Sequence, residues 1–285
     1  MLFRSEAGIE NILRWVPFEV DEVDLRNRIK NKMIRPTTIP QTLEDLVIEQ
    51  AIAREALRLA FEQHKALAVG LKGVQTQRTI SDIMSQSESG ATLVRLADLG
   101  LLVGSGGVLS HAPRRVQSAL MMVDAFLPEG LTQLAVDSIF MAPQLGVLST
   151  VHEEAAAQVF ERDCLIRLGA VLAPVGAGKP GQPCVKVTVT APGAAPATQA
   201  VPYGELVLMT LPSTGTAKIE ATPERGFDLG AGKGRPLETT VPGGVVGLIV
   251  DARGRQPFTL PADRAQRIQR LRAWNRALGA YPREV

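Results

Sequence analysis

Cysteine is nearly missing from this chain: Cys164 and Cys184 are the two in 285 residues. Neither lies in a CxxC pair or at a Cys/His metal spacing, so a disulfide scaffold and a zinc ribbon are excluded. Two reduced, unpaired thiols are expected. Histidine is almost as scarce, and His64, His111 and His152 show no metal spacing. Aromatics make up 4% and charged residues 21%. The net charge is only +2, too little field to argue for nucleic acid or an anionic membrane as partner. No run approaches the about 20 apolar residues of a membrane span. "MLFRSEAGIE" lacks the basic start and apolar run of a signal peptide. The expected location is therefore cytoplasmic.

What is present is ample core material. Apolar residues reach 45%, and the length suits two compact domains. "MLFRSE" runs straight into "AGIENILRWVPFEVDE", which reads as the middle of a helix-rich region. A portion of a longer protein is expected.

Residues 7–36 read as broken helix, punctuated by Pro17 and Pro36. Thr42 is placed to cap a long helix over 43–68, with Glu44 and Asp45 in its first turn. Residues 70–92 are polar and read as a loop with a short helix. "LGLLVG" then predicts a buried strand over about 99–103, whose glycines open onto a cleft. Pro113 suits the first turn of the next helix, with Ser110 or His111 near its cap. "LTQLAVDSIF" predicts a strand, and "EEAAAQVFERDCLIRLG" a helix stopped by Gly169. This alternation is that of an α/β region over 1–169, with a helical subdomain. After "APVGAGKPGQP" come short alternating runs separated by Gly and Pro, which predict a small antiparallel β unit. Ile268, Leu271, Trp274 and Leu278 recur at helical steps and predict a terminal helix, completing a β-rich domain over 170–285.

The chemistry is sparse. Gly104, Ser105, Gly106 and Gly107 follow the strand at 99–103. Such a turn lets a backbone approach a ligand closely, yet GSGG lacks the GxGxxG spacing. Nucleotide loop and plain turn both stand on pattern alone. "GAGKPG" and "DLGAGKGR" are read as turns. Neither has the first glycine of a phosphate loop, nor a hydroxyl after its lysine. Nothing in the sequence pairs Asp124, Asp137, Asp163, Asp228 or Asp251. "ARGR" and "RAQRIQRLR" read as solvated basic faces. No nucleophile or acid/base set emerges.

The run "LLVGSGGVLSHAPRRVQSALMMVDAFLPEGLTQLAVDSIFMAPQLGVLS" resembles the glutamate mutase L family, the methylaspartate mutase accessory proteins, unrelated to the mismatch-repair protein of similar name. "RPTTIPQTLEDLVIEQAIAREALRLA", "DCLIRLGAVLAPVG", "GFDLGAGKGR" and "GGVVGLIVDARGRQPFTLP" extend the likeness over nearly the whole chain. The resemblance implies membership of the actin, heat-shock chaperone and sugar-kinase superfamily. It implies the C-terminal half of an actin-like ATPase fold, followed by the small β unit and terminal helix. "VGSGG" at 103–107 then corresponds to the adenosine motif, with Gly104, Ser105, Gly106 and Gly107 against the adenosine of ATP. No "DxGxxxT"-like segment is found, so the groups that grip phosphates and Mg2+ are expected in a full-length parent. This chain alone is not expected to hydrolyse ATP well. The implied role is that of an accessory, chaperone-like reactivating protein, with subunits of a cobalamin-dependent mutase such as glutamate mutase as partners. The alternative is a non-catalytic interaction module, in which the β unit and last helix bind a partner and the glycine turn is structural.

Overall fold

The computed structural model describes residues 8–68 and 94–282. The loop expected over 70–92 lies outside them. Three layers result: helices, a five-stranded mixed sheet and a four-stranded antiparallel sheet.

The helical layer begins with α1 (Ile9–Leu13), α2 (Glu22–Ile34) and α3 (Leu43–Leu67). Asp21 caps α2 by accepting the Asp24 N–H at 2.9 Å. Thr42 caps α3 through the Asp45 N–H, as its position predicts. Val47, Ile48 and Ala51 bury one face of α3 in the main core. The strand β1 (Leu101–Gly104) leads into the one-turn helix α4 (Gly107–Ser110) and then α5 (Arg115–Phe126). The cap of α5 differs from expectation. Arg114 is its N-cap residue, and Gln117 Oε1 accepts the Arg114 N–H. Ser110 and His111 belong to α4 instead.

β2 (Gly130–Asp137) runs parallel to β1, with Val136 beside Gly104. Then come α6 (Ala142–Ser149), α7 (Glu153–Val159) and a π-turn over Phe160–Cys164. Here the sequence reading is corrected. The chain does not stay helical to Gly169, because β3 spans Leu165–Ala173. Gly169 interrupts the register against β2 rather than ending a helix. Its φ is +130°, and a Cβ there would stand 2.0 Å from the Gly247 carbonyl oxygen. "LIRLGAVLA" is therefore a buried strand bent at its glycine.

The remaining strands are β4 (Pro183–Thr190), β5 (Ala197–Pro202), β6 (Leu206–Met209), β7 (Thr216–Pro223), β8 (Leu237–Pro242) and β9 (Gly247–Asp251), followed by α8 (Arg264–Leu278). The mixed sheet has the order β1-β2-β3-β9-β6 and the antiparallel sheet β5-β4-β7-β8. So β6 and β9 leave the expected β unit and join the first sheet, and β3 runs through the 169/170 position. Val187, Val189, Ile219 and Ala221 from one sheet meet Ala170, Leu172, Leu248 and Val250 from the other. The opposite face of the mixed sheet takes α3, α5 and α8, whose Leu271, Trp274 and Leu278 are buried there. Cys164 and Cys184 are both free and buried, in separate apolar clusters.

Expected burial of the glycine strand is only half met. β1 is an edge strand, and Leu101 and Val103 are 41% and 39% exposed. Leu102 packs on the core, and Gly104 is buried.

Candidate functional site

The glycine loop sits at the C-terminal end of β1, beside a parallel neighbour. In open α/β sheets this is where ligands are bound. A cavity of about 680 Å3 opens there, within the range of small-molecule sites. One wall is the loop itself, Ser105 to Leu109. The other is the α2–α3 pair, through Ile29, Met33, Ile52 and Ala56. The lining is mainly apolar, with Lys32 and Glu49 as its charged members. Lys32 Nζ pairs with Glu49 and donates to the Thr38 carbonyl. A second cavity of about 560 Å3 shares Lys32, Glu49 and Ile52 and carries Arg28, which is bound to Asp24 and Asp45.

The four glycine-loop residues divide by role. Gly104 is not among the lining residues. A Cβ on it would meet Met122 Sδ at 2.7 Å and Leu109 Cδ1 at 3.0 Å, so the strand end is glycine in order to pack on α5. Gly106 has φ +100°, and a Cβ there would meet nothing within 4 Å. Gly107 is similarly open. Ser105, Gly106 and Gly107 therefore face the cavity with little side chain in the way. An open, mainly apolar surface flanked by backbone results. Among the described residues Lys32 is the one cation in the lining, and Glu49 engages it. Among the same residues no group of three His, Cys, Asp or Glu side chains is placed to hold a metal ion.

Below the loop lies Asp137, fully buried at the end of β2. Its carboxylate accepts the N–H groups of Ile139 (3.3 Å), Met141 (3.2 Å) and Ala142 (3.0 Å), and the Ser105 hydroxyl at 3.3 Å. Burial pushes its pKa up, but these donors outweigh burial and the carboxyl is held below its usual range. In the sequence alone Asp137 has no evident partner. The signal was its position, at the C-terminal end of the strand that follows the glycine loop.

A second cluster pairs Asp124 and Asp251 and corrects the reading of "ARGR". Arg253 and Arg255 are 5% and 1% exposed, not solvated. Arg54 Nε donates to Asp124 at 2.7 Å, and Arg253 Nη1 lies 2.8 Å from the other Asp124 oxygen. Arg253 also grips Asp251 with Nε and Nη2 at 2.9 and 2.8 Å. Arg255 reaches Asp251 at 2.7 Å and the Pro128 carbonyl at 3.0 Å. Burial alone would raise the Asp251 pKa. The two guanidiniums outweigh it and hold the carboxyl well below its ordinary value. Arg253 is further stacked near Trp274, 4.9 Å from the ring centre. This chain of alternating charge ties α3, α5 and β9 together, beside a cavity of only about 10 Å3.

No helix among the described residues is long and apolar enough to cross a membrane. His111 ends α4, and His152 Nδ1 accepts the Ala155 N–H at the start of α7. Both are local structural roles. A family model described as "MutL protein" matches residues 3–164. That span includes the α2–α3 wall, the glycine loop and Asp137. Comparison with curated proteins and with solved structures gave no match in either.

Proposed function

The chain belongs to the MutL protein family, here the glutamate mutase L family, and from that premise we propose that it is the nucleoside-binding part of an accessory protein for a cobalamin-dependent mutase. The observation that carries the proposal is the cavity between α2, α3 and Ser105–Leu109. The adenosine of ATP enters with its base among Ile29, Met33, Ile52 and Ala56, against the backbone of Gly106 and Gly107. Phosphates and Mg2+ find few partners in these residues. The chain's part in the parent's work is to hold the adenosine end, as in the superfamily that the resemblance names. The mutase subunits as partners, and the chaperone-like reactivating role, rest on that resemblance.

Calorimetry on the chain tests it. Adenosine and ATP are expected to bind with similar, weak affinity, and Gly106→Val to weaken both by ten-fold or more. No heat with either ligand, or equal heat with the variant, would sink the nucleotide reading.

A second reading is favoured by one observation. Residues 138–151 carry no charge, and Ile139, Phe140, Val147 and Val151 are more than half exposed. A surface of that kind suits protein contact. The terminal helix does not serve this purpose as the alternative expected, since its apolar face is spent in the core.

A further inference from the structure

The loop and the uncharged 138–151 surface meet at one residue. Ser105 Oγ, at the start of the glycine loop, donates to Asp137 Oδ2 at 3.3 Å. Ser110 Oγ, at the end of α4, donates to the Asp137 backbone carbonyl. Both ends of the 105–110 segment are thus tied to Asp137. Between them Gly106 and Gly107 have open space. The other side of the same carboxylate holds the Ile139, Met141 and Ala142 N–H groups. The Ser138 N–H is bound to the Cys164 carbonyl at 2.8 Å. Phe140, within that turn, has φ +60°. A bulky side chain in the left-handed region is strained and persists only where its surroundings fix it. The fixing groups here are the three bonds to Asp137. A carboxylate has about four lone-pair sites, and four donors use them. Displacing Ser105 therefore changes the bonding that holds the turn.

We propose that Asp137 is the positioning residue of the glycine loop, tethering Ser105 to the 138–142 turn so that a ligand on the loop is felt at Ile139 and Phe140. The ligand half of this rests on the nucleoside reading of the cavity. The tether does not. The direction of coupling is fixed by linkage: whatever ligand orders the loop is itself bound more tightly when the turn is held. Ile139 and Phe140 are 55% and 51% exposed, so the change reaches a surface that another protein can sense.

The test uses Ser105→Ala, Ser105→Thr and Asp137→Asn, each also in a Phe140→Trp background, in the full chain. Hydrogen exchange on the free protein reads the tether. Ser105→Ala and Asp137→Asn are expected to speed exchange of the 138–142 amides five-fold or more, and Ser105→Thr to leave it near wild type. Ser105 is exposed, so its variants test the tether even where Asp137→Asn fails to fold. Adenosine titration reads the coupling. It is expected to shift the emission of the indole introduced by Phe140→Trp, with Ser105→Ala weakening affinity at least five-fold and abolishing the shift. Ser105→Thr is expected to retain both. Unchanged exchange at 138–142 in Ser105→Ala overturns the tether. Adenosine binding without any emission shift overturns the coupling. Faster exchange in Ser105→Ala with no adenosine binding even to wild type supports the tether and sinks the nucleoside reading instead.

Discussion

Gly104 and Gly106 are two residues apart and answer to different forces. Gly104 is glycine because Met122 and Leu109 leave no room for a Cβ. Gly104→Val is expected to cost about 1–3 kcal/mol of stability, the usual range for overpacking. Gly106 has room but a backbone that side chains rarely adopt. Gly106→Val is expected to strain the loop backbone, costing some stability, and to weaken ligand affinity ten-fold or more, whereas Gly104→Val loses stability with affinity little changed. Thermal unfolding and adenosine calorimetry on both variants separate the two. A Gly104→Val protein with normal stability and lost binding would reverse the assignment. The sequence showed four small residues in a row and could not divide them. The division depends on α5 passing beneath one of them and a cavity lying above the other.

At the scale of elements, legibility followed how local the determinant was. The cap at Thr42, the extent of α3 and the buried stripe of α8 are set by neighbours within a turn or two, and the structure has them nearly as read. Gly169 reads as a helix stop in the sequence because its determinant, Gly247, is distant in sequence and packed against it only in the sheet. The same holds for "ARGR". Arginines beside an aspartate look solvated until β9 is placed inside a sheet, between β3 and β6, with Asp124 of α5 and Arg54 of α3 across from it. That cluster predicts a pH dependence. Asp251 and Asp137 both have pKa values lowered in the folded state. A lowered folded pKa means that the stabilisation is fully present above the unfolded value, about 3.9. It is lost as the pH falls through the folded value. Stability is expected to hold from pH 7 to about 5 and to fall steeply below about 4. Asp251→Asn leaves Arg253 and Arg255 buried with half their partner, and a broken buried pair costs about 3–5 kcal/mol. Denaturant unfolding at pH 7 and across the acid range checks both. A variant as stable as wild type at pH 7 would show that the cluster contributes nothing net.

At the scale of the whole molecule, the decisive feature is which parts of a nucleotide have a counterpart. In the proposed reading the base and sugar enter the cavity between two helices and the glycine loop. The phosphates have Lys32, which Glu49 engages, and the metal has no clustered ligands among the described residues. Phosphoryl transfer depends almost wholly on positioned phosphates and metal. The nucleotide affinity of this chain should therefore be indifferent to both. The dissociation constants of adenosine, ADP and ATP are expected to agree within about three-fold, since a tenfold change would need about 1.4 kcal/mol of phosphate contact. Adding excess Mg2+ to ATP should leave the constant unchanged, and phosphate release should stay at background. The measurements are titration calorimetry with and without Mg2+ and a continuous phosphate assay. Tighter binding of MgATP than of adenosine by a hundred-fold, or Mg2+-dependent turnover, would mean that the cavity wall serves the phosphates as well. Lys32→Ala would then be the first variant to make, because among the described residues Lys32 alone brings a positive charge to that wall.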